Sequence, residues 1–103
     1  MNWPNIEKNL VETNARESSV RASEVIQYWL SLLPEPSFSV DSDGDIVLTF
    51  KKDMFTAWVN ILEYSLILSI SRKDVIIHTC EYGSLDRKHQ ADAVRCMINE
   101  FFT

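Results

Sequence analysis

Apolar positions along the chain follow two periods, and the change of period marks the elements. Between residues 37 and 50, Phe38 and Val40 alternate with polar neighbours, and Ile46, Val47, Leu48 and Phe50 form an apolar run. Asp41-Ser42-Asp43-Gly44-Asp45 lies between them and is built of residues that tolerate a tight reversal. The stretch therefore predicts a β-hairpin with strands over 37–41 and 45–51. Residues 64–71, YSLILSIS, put Leu66, Leu68 and Ile70 on one face, and residues 75–80, VIIHTC, follow across Arg72-Lys73-Asp74. These two runs predict a second antiparallel pair.

Elsewhere the period is helical. Ile6, Leu10 and Val11 make a one-sided stripe after Pro4, which fits a helix start at Pro4-Asn5. Residues 12–19, ETNARESS, are polar nearly throughout. A continuous helix over 5–33 would run about 43 Å at 1.5 Å per residue, longer than a domain of this size needs, so a break or an overhang is expected. Val20, Ala22, Val25, Ile26, Trp29, Leu30, Leu32 and Leu33 then give a firm helix with a broad apolar face, with Ser18 or Ser19 as its cap. Pro34 and Pro36 stop it and hold the connector to the hairpin extended.

Residues 54–63 carry both signals. Phe55, Trp58, Val59 and Leu62 recur at i, i+3, i+4 and i+7 behind Asp53, whereas the aromatic and β-branched content suits a strand. Period favours a short helix here. From Leu85 onwards Ala91, Val94, Cys96, Met97, Ile98, Phe101 and Phe102 predict a helix over 86–102, capped by Asp86 or Ser84. The expected fold is α+β: an N-terminal helix, a mainly antiparallel sheet of about four strands (37–41, 45–51, 64–71, 75–80), a short helix at 54–63 and a C-terminal helix packed on one face.

Composition narrows the class. A chain of 103 residues with 46% hydrophobic residues is one globular domain. Its longest apolar runs fall far short of the roughly 18 residues that span a bilayer, and the first ten residues lack a basic and then apolar leader pattern. No membrane association and a cytoplasmic location are expected. The formal net charge of −5 is concentrated at Glu35, Asp41, Asp43 and Asp45. Such a chain repels phosphate backbones, so direct nucleic-acid binding is not expected, while a basic protein surface is a suitable partner.

Candidate chemistry is sparse. The spaced aspartates around Gly44 suggest a calcium loop, but that register puts Ser39 at the first ligand position and Phe50 where a bidentate Glu is needed. The turn reads instead as a solvated reversal. His78, Cys80, His89 and Cys96 are ligand types zinc accepts, yet they lack the two close pairs of a structural site. Cys80 with His78 or His89 would make a thiol nucleophile, with no third orienting group in the sequence. Two buried thiols, rather than a disulfide, are expected in a reducing compartment. With only two glycines, Gly44 and Gly83, there is no phosphate cradle. No metal, cofactor or catalytic residue is assigned. The aromatic residues exceed a minimal core, and Trp3 and Phe55 join Asp41, Asp43 and Asp45 as partner-binding candidates.

Residues 22–50, in which a helix ends LSLLPEP and SFSVDSDGDIVLTF follows, resemble a pattern in small uncharacterised prokaryotic proteins: LP-x-P, an alternating strand, DG[DE]I and L-x-[WF]. The resemblance implies a bacterial or phage origin and a helix-to-hairpin unit, and brings no activity with it. The expected function is a small non-catalytic protein-binding domain, acting as an inhibitor or an immunity or antitoxin partner. The alternatives are a cysteine-dependent enzyme or zinc domain using Cys80 and Cys96 with His78 and His89, and a structural homodimer.

Overall fold

The computed structural model describes residue 3 and residues 6–102. Two helices come first, α1 (Ile6–Asn14) and α2 (Glu17–Leu30). Five strands follow, β1 (Ser37–Val40), β2 (Ile46–Lys52), β3 (Phe55–Ile61), β4 (Leu66–Arg72) and β5 (Val75–Tyr82), and α3 (Arg87–Phe102) ends the chain. The strands form one antiparallel meander in sequence order, β1-β2-β3-β4-β5. The architecture is α+β, with five strands where the hydrophobic pattern suggested about four. No helix among the described residues is long and apolar enough to cross a membrane.

The difference lies in 54–63, which is β3 and not a helix. Phe55, Ala57, Val59 and Ile61 face the core, while Thr56, Trp58 and Asn60 alternate on the other side. Trp58 is the residue that mimicked a helical repeat, because it adds an apolar side chain on the outer face. Asp53, expected as a helix cap, sits at φ 55° in the two-residue turn between Lys52 and Phe55. The turn at Lys73-Asp74 likewise has two residues, at φ 50° and 67°, the twist that suits a tight hairpin.

Cross-strand rows show where the core sits. One runs Phe38, Leu48, Val59, Leu68, Cys80; the next runs Val40, Ile46, Ile61, Leu66, Tyr82. The members on β2, β3 and β4 are buried under α2 and α3, with Ile26, Leu30, Val94 and Ile98 facing them. Both rows end on β5 in partly exposed, less apolar side chains. The opposite sheet face is dominated by Ser, Thr and Lys, with Trp58 and Ile67 half-buried among them.

The break between α1 and α2 has a cause. Arg16 is extended (φ −62°, ψ 143°), which lets its N–H donate to the Gly44 carbonyl at 2.7 Å and its guanidinium reach Asp45. Ser19 does not cap α2. It is fully buried, donates to the Ile61 carbonyl at 2.7 Å and accepts the Ile46 N–H at 2.8 Å, joining the helix to the β2–β3 pair. Asp86 does cap α3, accepting the His89 N–H at 2.9 Å. The helix start expected at Pro4-Asn5 lies outside the described residues.

Candidate functional site

The hairpin tip brings Asp41, Asp43 and Asp45 together, with ligand-type oxygens within 4.8 Å of one another. Two of the three are already engaged. Asp41 Oδ1 accepts the N–H groups of Asp43 and Asp45, each at 2.9 Å, and its Oδ2 accepts from Asn60 Nδ2 at 3.1 Å. Asp45 is only 4% exposed and is ion-paired with Arg16. That hydrogen bond, and then the charge of Asp45, hold the Arg16 guanidinium above its usual pKa. The expected trio of projecting carboxylates is thus corrected to one, Asp43; the others close the turn and fasten it to the helix break.

Gly44 is required at the tip on two counts. It takes φ +84°, and a Cβ there would lie 2.6 Å from Arg16 Cγ.

Trp3 is 6% exposed, edge-on to Phe38 and Phe50, with its indole N–H donating to the Leu33 carbonyl at 3.2 Å. It is a core residue that ties the helix-to-sheet connector down. Phe55 is half-buried against Phe102, with ring centroids 6.2 Å apart. Trp3 therefore offers no free face, whereas Tyr28 and Tyr64 keep theirs in water, 72% and 77% exposed.

The Cys and His residues do not converge. Both cysteines are free thiols, but neither is buried as expected: Cys80 is half-buried on β5 and Cys96 is exposed on α3. His78 stacks on Phe101 at 5.6 Å, and His89 Nδ1 lies 2.8 Å from Asp86 Oδ1. The Asp86 carboxyl is held below its ordinary pKa, first by the His89 backbone N–H and then by the His89 ring. Cys80 Sγ points to the Glu81 carbonyl at 3.8 Å. Burial, and then the hydrogen bond with Cys80, push the Tyr82 phenol up to about 12. Among the described residues no histidine hydrogen-bonds to a cysteine, and the only metal-capable cluster is the aspartate trio at the tip.

A cleft of about 280 Å³ opens between the α2–β1 connector, the end of β2 and the end of α3. Leu33, Pro34, Phe50, Ile98 and Phe102 wall it, with Lys51 and Lys52 beside its mouth. Glu35 lines it as well.

Two surfaces went unassigned from the sequence. Val25 and Tyr28 are exposed at i and i+3 on α2, and Leu32 is exposed in the turn just past its C-cap, Tyr28 and Leu32 to 72% and 75%, although the inner side of the helix is filled by Ala22, Ile26 and Leu30. On β5, Val75, Ile76 and Ile77 are 63%, 55% and 45% exposed in succession. The breadth of the α2 stripe and the unbroken VII run were the available signals. Both were spent on core assignment.

Fold and surface together define a small α+β protein with helices on one face of a meander and apolar side chains left over on a helix and on a strand edge. Compared with known proteins, the chain matches no family model, no curated protein and no solved structure.

Proposed function

We propose that the chain is a non-catalytic protein-binding domain of the inhibitor, immunity or antitoxin kind, from a bacterium or phage, and that α2 carries the contact. The supporting observation is the exposed pair Val25 and Tyr28 on a helix whose inner side is already packed, flanked by half-buried Trp29 and followed by exposed Leu32 just past the C-cap. A globular helix normally shows one apolar stripe, so a second one calls for a second cover. Tyr and Trp give large contact areas at small entropic cost, which is why such residues anchor interfaces. The net charge of −5 favours a partner with a basic surface, and Asp43 is the tip carboxylate left to steer it.

The test is co-expression with the products of neighbouring genes in the native host, for wild type, Tyr28→Ala and Asp43→Lys. Tyr28 is exposed, so its loss leaves the fold intact. A co-purifying protein is expected with wild type, weakened by about tenfold or more in Tyr28→Ala. With Asp43→Lys it is slower to associate and less sensitive to salt. A partner retained equally by Tyr28→Ala contradicts the assignment to α2.

A further inference from the structure

The cleft past the end of α2 has an apolar floor and a rim that is held in place. Leu33, Phe50 and Ile98, core side chains each at most 4% exposed, form the floor. At the rim Pro34 has a fixed φ, the Leu33 carbonyl accepts the Trp3 indole N–H, and Phe102 packs on Phe55. Walls already ordered take little of a ligand's binding energy to arrange. The charge beside this cleft runs against that of the chain. The net charge is −5, yet the β2 wall carries Lys51 and Lys52 and the connector wall only Glu35. Among the described residues none of the three has an ion-pair partner. Lysines at a strand end are ordinary in water, but alternation separates these two. Lys52 pairs with Phe55 and shares the face of Phe50, so its side chain leaves β2 on the cleft side; Lys51 pairs with Thr56 and leaves on the other.

We propose that the cleft binds a small amphipathic anion, with an aliphatic tail against Leu33, Phe50 and Ile98 and a carboxylate head at Lys52. Size sets the tail. An apolar cavity of about 150 Å³ takes a six-carbon ring, so the 280 Å³ here takes about ten carbons. The walls are apolar on all three sides, which selects a hydrocarbon body and leaves orientation to the few polar groups at the mouth. Charge sets the head. A lysine ammonium is a compact point charge that accepts a carboxylate from many directions, and an apolar wall beside the pair strengthens it over the same pair in open water. Glu35 alone would favour a cation or a zwitterion; two lysines against one carboxylate leave the mouth positive and decide for the anion. Three elements close around the cleft, which suits one short tail and not a length of peptide. The site shares no residue with Val25, Tyr28 and Leu32, so it does not depend on the function proposed above.

Isothermal titration calorimetry of the full chain with decanoate, decanol and decyltrimethylammonium, each below its micelle concentration, tests the site. Decanoate is expected to saturate one site per chain and to shift the methyl resonances of Leu33 and Ile98. Decanol and the cation are expected to bind more weakly by about threefold or more, the worth of one partly exposed charge pair. Lys52→Ala, at an exposed position, weakens decanoate by about the same factor and leaves decanol unchanged, which a general loosening of the fold does not do. Lys51→Ala has the smaller effect, and Glu35→Gln tightens decanoate by removing a like charge. No saturable binding of decanoate overturns the proposal. So do equal affinities for the three probes, a Lys52→Ala chain that binds decanoate as wild type does, or weaker binding in Glu35→Gln. A chain that captures its partner through α2 but ignores decanoate sinks the ligand site alone.

Discussion

At the β1 edge the strand stops after four residues, α1 lies against it and Glu7 accepts the Phe38 N–H at 3.3 Å; at the β5 edge eight residues run in the open with three aliphatic neighbours in water. The helices explain the contrast. α1 and α2 pack over β1, β2 and β3, and α3 over β3 and β4, so cover thins toward β5, which Phe101 of α3 reaches at His78. The core rows register this directly, since the fully buried Leu66 and Leu68 are followed on β5 by half-exposed Tyr82 and Cys80.

The closed side depends on polar ties from the helices, and cutting them is the way to break the contrast. The largest effect is expected at Ser19. Ser19→Ala strands the buried Ile46 N–H and Ile61 carbonyl together, which costs about 2–4 kcal/mol and is read by urea denaturation. Thr79→Ala on the open strand is the matched control and is expected within about 0.5 kcal/mol of wild type. Next comes Gly44→Ala, which forces a Cβ onto Arg16 Cγ and a side chain into left-handed backbone. The backbone alone costs about 1–2 kcal/mol, and more if the Arg16–Asp45 tie is expelled; thermal melting gives the value. The smallest effect, about 0.5–1.5 kcal/mol, is expected for Glu7→Ala. It removes the acceptor for the Phe38 N–H, and the Phe38 amide should then exchange faster with little change elsewhere. If Glu7→Ala leaves that amide protected, the carboxylate is not what closes the β1 edge.

The alternation in 37–50 and 64–71, the helical period of 20–33 and the cap at Asp86 were legible because local pattern and tertiary role agree there. Residues 54–63 misled because Trp58 sits on the outer face of β3, and an apolar residue on the wrong side turns period two into an apparent 3.6. The tip aspartates looked like projecting charge because nothing near them in sequence reveals that Arg16, 29 residues away, takes Asp45. Trp3 looked like an anchor for a partner because its neighbours Phe38 and Phe50 are remote in the chain. The two exposed apolar surfaces were hidden for a related reason. Val25 and Val75 carry the same hydrophobic signal as Ile26 and Ile70, and only the placement of the helices decides which of them stay in water.

Amide hydrogen exchange at low and high protein concentration tests the contrast between the two edges most directly. The account predicts that the Phe38 amide is slow and that the outward amides of β5 exchange fast at both concentrations. A Phe38 amide as fast as the outward amides of β5 would contradict it.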